Sequence, residues 1–161
     1  MLSIKVYKFM THKINVSWDE YHNKIEYLAQ IVQYWDFNQI VCIARGGLRP
    51  GDILSRIYDC PLAIMSAESY DGATQRDTIK ISYHMSMTRD LGSRVLLVDD
   101  IADTGQTLEE AVKYVKTYDV DEVRTAVLWT KKKSIFVPDY SVELLKDNPI
   151  IVQPFAHYEL R

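Results

Sequence analysis

Residues 95–107 read VLLVDDIADTGQT. Four apolar residues form a buried-strand pattern and run straight into Asp99 and Asp100. Asp103 follows just ahead of Thr104 and Gly105, and TLEEAVKYVKTY (107–118) then carries Leu108, Ala111, Val112 and Val115 at helical spacing. Three carboxylates where a buried strand gives way to a helix are costly unless something binds them. The first turn of a helix leaves its amides without internal acceptors, and the helix dipole favours an anion there. The backbone of Asp103, Thr104, Gly105, Gln106 and Thr107, with the two threonine hydroxyls, therefore suits a phosphate monoester. Asp99 and Asp100 would repel that phosphate; they suit sugar hydroxyls or a hard cation such as Mg²⁺. Phosphate donors beside sugar-binding carboxylates describe a site for a phosphorylated ribose.

The surrounding pattern predicts the scaffold. Ser17 and Glu20 form a capping box. Tyr21, Ile25, Leu28, Val32 and Trp35 recur behind it at steps of three and four, predicting a helix of about five turns. QIVCIA (39–44) reads as a buried strand, RGGLRPG (45–51) as a glycine-rich turn, DILSRIY (52–58) as a short helix and PLAIMSA (61–67) as a second strand. Residues 68–80 are polar around Gly72 and read as a long mobile loop. RVLLVD (94–99) and EVRTAVLW (122–129) complete the main strands, with DYSVEL and PIIVQPF as short strands near the C-terminus. Strands alternating with helices imply an α/β fold, a mostly parallel twisted sheet flanked by helices. Ligands of such sheets bind beyond the carboxyl ends of the strands, where both glycine-bearing turns and all three aspartates fall.

Composition narrows the function. The 161 residues, without repeat or linker, are expected to form a single domain over 1–161. A formal net charge of −3 gives no reason to expect nucleic acid or an anionic membrane as partner. Lys131, Lys132 and Lys133 are the one basic run and read by themselves as a solvated loop. Two cysteines, Cys42 and Cys60, make no disulfide framework, and no Cys/His spacing suggests zinc. No apolar stretch approaches the ~18 residues of a membrane span, and Lys5 and Lys8 interrupt the opening MLSIKVYKFM, so a cytoplasmic location is expected. Gly46 and Gly51 have the spacing of a Walker A loop, but Asp52 stands where its lysine belongs. A response-regulator receiver also carries paired aspartates, but near the N-terminus rather than past the middle of the chain.

The string VLLVDDIADTGQTL resembles the phosphoribosyl pyrophosphate (PRPP) signature of the type I phosphoribosyltransferases. SWDEYHNKIEYLAQIV, IARGGLRPGDILSRIY, SYDGATQRD and DYSVELLKDNPIIVQPF are similar, in order and spacing, to blocks of the xanthine-guanine and hypoxanthine-guanine enzymes of that family. The likeness covers most of residues 15–155. It implies the family's fold with a small C-terminal hood. It also implies transfer of a phosphoribosyl group from PRPP to a 6-oxopurine, with Mg²⁺, in a homodimer or homotetramer. Asp99 and Asp100 would hold the ribose hydroxyls and orient the metal, and Asp103 would exchange a proton with the purine N7. Asp103 to Thr107 would bind the 5-phosphate. Arg45 and Gly46 would grip the pyrophosphate, in the family often through a non-proline cis peptide, with Ser69, Tyr70 and Arg76 on the closing loop. Lys131 would donate to the 6-oxo group, favouring guanine, xanthine or hypoxanthine over adenine. Ile150 stands where the family usually stacks an aromatic ring on the base, with Ile151 at the neighbouring backbone contact. That departure leaves a non-purine base open. A regulatory protein that binds PRPP or a nucleotide on the same fold is the alternative of a different class.

Overall fold

Ser17 caps the first helix, α1 (Trp18–Val32), in both directions: its hydroxyl accepts from the Glu20 amide, and the Glu20 carboxylate accepts from the Ser17 amide. The helix ends at Val32, a turn short of the expected length, and Trp35 is buried in the turn that follows. In this computed structural model residues 12–70, 78–82 and 84–159 are described, with Ser69, Tyr70 and Thr78 described in backbone only. The expected loop tip, with Arg76, lies outside the described residues, as do residues 1–11.

The strands are β1 (Lys13–Asn15), β2 (Gln39–Ala44), β3 (Leu62–Tyr70), β4 (Thr78–Ile81), β5 (Arg94–Val98), β6 (Ile101–Ala102), β7 (Glu122–Lys131), β8 (Tyr140–Leu145) and β9 (Ile150–Val152). Two further helices are α2 (Leu48–Tyr58) and α3 (Gln106–Val115). The main sheet runs β4-β3-β2-β5-β7, with β6 and β8 also paired to β7. All pairs are parallel except β3 with β4. β1 and β9 form a separate two-stranded parallel sheet, Lys13 opposite Ile150.

Both faces of the sheet are covered, which is why its strands read as unbroken apolar runs rather than alternating ones. Along β5, Leu96 and Val98 join Tyr21, Ile25, Leu28 and Leu54 from α1 and α2. Val95 and Leu97 face the other way, onto Leu108, Ala111 and Val115 of α3. Each Leu, Ile or Val among these contributes roughly 1.5–3 kcal/mol by leaving water.

Two local departures from the sequence reading bear on the site. α2 begins at Leu48, so the glycine-rich turn shrinks to Arg45–Gly47 and Arg49 sits in the first helical turn. The expected loop 68–80 begins and ends as strand: Ser69 pairs with Ile79 and Tyr70 with Thr78. The crossover from β2 through α2 leads outward to β3, whereas that from β5 through α3 leads the opposite way to β7. The strand order therefore reverses between β2 and β5, and the crevice at their carboxyl ends is where this architecture binds ligands.

Candidate active site

The crevice holds a cavity of about 260 Å³. Arg45 and Gly46 from the β2 end, Ala67 from β3, and Asp99, Asp100, Asp103, Thr104, Gly105 and Thr107 from the β5–α3 connection line it. Residues from three separate stretches of the chain thus converge on one space, and they include most of the positions singled out from the sequence.

The phosphate-type cradle is built locally. Gly105 has φ +85°, a left-handed conformation that side chains resist. A Cβ there would also lie 2.6 Å from the Phe136 amide nitrogen. The turn is tied down by the Ile135 amide, which donates to the Thr104 carbonyl at 2.8 Å. No side chain caps α3, and the Thr104 hydroxyl accepts from the Gln106 amide only at 3.4 Å. The helix therefore opens with donors available to an anion. Gln106 is the first residue of α3 and does not itself line the cavity.

The acidic doublet lies beside this cradle. Asp99 and Asp100 are each only 8% exposed. The Asp100 amide donates to Asp99 Oδ1 at 2.9 Å, and the Asp100 carbonyl accepts from the amides of Leu128 and Trp129 on β7. Burial, reinforced by the neighbouring Asp100 carboxylate, pushes the Asp99 carboxyl well above the ordinary range. Burial also raises Asp100, against the opposing hydrogen bond that Gln153 Nε2 donates to its Oδ2. Gly46 passes directly over this carboxylate, and a Cβ at Gly46 would collide with the Asp100 side chain. The Ala44–Arg45 peptide is cis, as the family likeness led us to expect.

Asp103 sits in a contrasting field. Its carboxylate is 3.2 Å from Lys131 Nζ and 2.7 Å from Lys133 Nζ. Partial burial raises its pKa, but hydrogen bonds from Lys133 and Lys131 outweigh that and hold the carboxyl below its usual range. Lys131, at the end of β7, is buried with its ammonium on Asp103, so it is not the solvated loop lysine that composition alone suggests.

Other expected residues fall elsewhere. Ser69 and Tyr70 end β3, whose Ala67 reaches the cavity; their side chains lie outside the described atoms. Ile150 and Ile151 lie on β9, with Ile150 43% exposed and Ile151 packed against the core; neither lines the 260 Å³ cavity. The sequence reading missed Lys133, Arg49, Gln153 and Phe155. The last three border a second cavity of about 380 Å³, which shares Arg45, Gly46 and Asp100 with the first. Among the described residues no cluster of three or more His, Cys, Asp or Glu side chains is placed to hold a metal. A pair of carboxylates is nonetheless what Mg²⁺ uses when the rest of its shell is substrate phosphate and water, so the doublet fits an ion of that kind. No helix among the described residues is long and apolar enough to cross a membrane.

The chain is similar to several known proteins. A xanthine-guanine phosphoribosyltransferase of Idiomarina loihiensis is 35% identical over 100 residues, 58% of this chain and 59% of that enzyme. The match thus spans less than two thirds of that relative's length. The crystal structure of a purine phosphoribosyltransferase from Pyrococcus horikoshii superposes with a TM-score of 0.78 at 33% identity, covering 89% of this chain and 93% of that one. A Helicobacter pylori xanthine-guanine-hypoxanthine phosphoribosyltransferase gives a TM-score of 0.74 at 26% identity, over 88% of this chain and 92% of that one. The family model described as phosphoribosyl transferase domain matches residues 17–160, nearly the whole chain and both cavities with it, and the chain belongs to that family.

Proposed function

We propose that the protein is a purine-salvage phosphoribosyltransferase, which joins the 5-phosphoribosyl group of PRPP to a 6-oxopurine and releases pyrophosphate. The observation that carries this reading is the convergence, on one cavity, of the uncapped α3 amides, the buried Asp99–Asp100 doublet and Asp103 with Lys131 behind it. The amides and hydroxyls from Asp103 to Thr107 hold the 5-phosphate, and the doublet accepts from the ribose hydroxyls. Arg45 and the bare Gly46 backbone take the leaving pyrophosphate. As that group departs, positive charge grows on the ribose ring, and carboxylates in a site with little water stabilise it strongly. Mg²⁺, held by Asp100 and Asp99 together with pyrophosphate oxygens, would offset the charge of the leaving group. Asp103, kept ionised by its two lysines, exchanges the N7 proton of the base. Lys131, paired with Asp103, would donate to a 6-oxo group, which accepts, whereas a 6-amino group does not.

The segment 68–80 serves as a lid against hydrolysis, with β3 and β4 as its two arms. Ser69, Tyr70 and Arg76 are its expected contacts with pyrophosphate. The exposed aliphatic Ile150, at the position expected to stack on the base, supports a second reading in which the acceptor is a non-purine base.

The test is nucleotide formation from PRPP and Mg²⁺ with guanine, xanthine, hypoxanthine, adenine and uracil in turn. Product with the 6-oxopurines alone is expected. PRPP binding without product from any base would replace the transferase with a PRPP-binding regulator. Lys131→Ala should raise KM for the base more than KM for PRPP; equal changes in both would remove Lys131 from base recognition.

A further inference from the structure

The second cavity contains a cation that the sequence motifs did not single out. Arg49 stands in the first turn of α2, one turn beyond the Arg45–Gly46 contact, and both guanidinium groups border the cavity with Asp100 and Gln153. Among the described residues no group lies within hydrogen-bond or ion-pair distance of either guanidinium, although Asp100 and Glu159 border the same space. Arg49 is held instead on an aromatic platform. Its guanidinium carbon lies 4.0 Å from the Phe155 ring centroid and 5.7 Å from that of Trp18. Phe155 is itself fixed edge-on by Tyr21, with centroids 5.7 Å apart at 88°. Stacking of this kind orients the planar group while leaving its N–H donors, at the rim of the ring, free for an anion. The floor of the cavity is also short of a partner. Gln153 spends its amide nitrogen on Asp100, and its Oε1 is buried without a donor.

We infer that Arg49, stacked on Phe155, is a second guanidinium for the diphosphate arm of the substrate, acting with Arg45 in the cavity that Asp100 also borders. The inference rests on the transferase reading and adds a specificity element to it. Two planar forks facing a cavity of about 380 Å³ suit two linked phosphates, whereas the 5-phosphate cradle offers backbone amides to a single one. Asp100 and Glu159 on the same wall suit a diphosphate that brings its cation with it. The platform explains why an arginine is useful at this position. Lysine could supply the charge, but neither the fork nor the flat face for Phe155.

Binding of three probes to the full chain tests this by calorimetry: inorganic pyrophosphate with MgCl₂, PRPP with MgCl₂, and ribose 5-phosphate. Arg49→Ala should weaken pyrophosphate and PRPP at least tenfold and leave ribose 5-phosphate within twofold, which also shows that the variant folds. Arg49→Lys should recover only part of the loss, and Phe155→Leu, which keeps the charge and removes the ring, should fall between wild type and Arg49→Ala. Pyrophosphate affinity unchanged in Arg49→Ala, in a protein that binds PRPP, overturns the role of Arg49 and leaves the transferase reading intact. Equal weakening of all three probes would make Arg49 a merely structural residue and also overturns the inference. Wild-type protein that binds neither PRPP nor ribose 5-phosphate overturns both together.

Discussion

Two carboxylate environments lie within five residues of each other and are electrostatic opposites. Asp99 and Asp100 are buried, crowd one another, and are pushed toward the neutral form. Asp103 is half exposed, touches two ammonium groups, and is pulled toward the charged form. The same residue type is thus set for two tasks. The doublet can accept hydroxyl hydrogen bonds and stabilise positive charge only where water is scarce, and burying it works against folding. In the proposed reaction Asp103 exchanges a proton with the base, and the two lysines favour its charged form.

The largest expected effect isolates the Asp103 side of this contrast. Asp103→Asn should lower kcat by roughly 10²–10⁴, the usual contribution of a positioned general acid or base, with PRPP binding retained. Steady-state kinetics beside PRPP titration decides it, and unchanged turnover would remove Asp103 from the chemistry. The doublet is attacked next through its neighbour. Gly46→Ala drives a methyl group into the Asp100 carboxylate. Turnover, measured by steady-state kinetics, should fall by a factor on the order of 10², the penalty for displacing a positioned group by about an ångström.

A smaller effect has the opposite sign for stability. The folded-state pKa of Asp99 is raised, so the unfolded chain ionises first. Stability therefore falls as pH rises from the unfolded value toward the folded one, and the whole cost is present above it. Asp99→Asn keeps an acceptor for the Asp100 amide and removes the charge, so Tm should rise at neutral pH, by ~2–4 °C for each kcal/mol recovered in a chain of this size. A lower Tm measured by calorimetry would contradict the picture of an uncompensated buried charge. The smallest effect belongs to the exposed pair. Removing Lys133 takes away one of the two cations that depress Asp103, so the acid limb of kcat/KM should move to higher pH in Lys133→Ala. The shift should stay under about one unit, because the pair is open to solvent. A limb that stays put or moves to lower pH would show that Lys133 does not tune Asp103.

The amino-acid sequence determined whatever depends on near neighbours in the chain. The capping box at Ser17 and Glu20 started α1 where expected, because both partners lie within one turn. The apolar runs placed β2, β5 and β7, and the string from Asp99 to Thr107 set out the cradle, since a strand end, a left-handed glycine and an uncapped helix start are local properties. The ends of elements were less legible. α2 starts four residues before the expected 52, because Arg45–Gly47 completes the turn and the chain can wind at once against β2. β3 runs on through Tyr70, because antiparallel pairing with β4 extends it into a polar stretch that has no strand pattern of its own.

Only the tertiary structure decided which distant groups meet. Lys131 becomes a partner of Asp103 because β7 lies beside β5 and β6 and ends level with the turn that follows them. Gln153 reaches Asp100 across 53 residues, and Arg49 finds Phe155 from the opposite half of the chain. The burial that raises the doublet comes from layers closing over it, and the cations that lower Asp103 arrive from another strand. Composition and spacing specify which carboxylates are available. Their protonation depends on solvent exclusion and on through-space charge, and both exist only once the chain has folded.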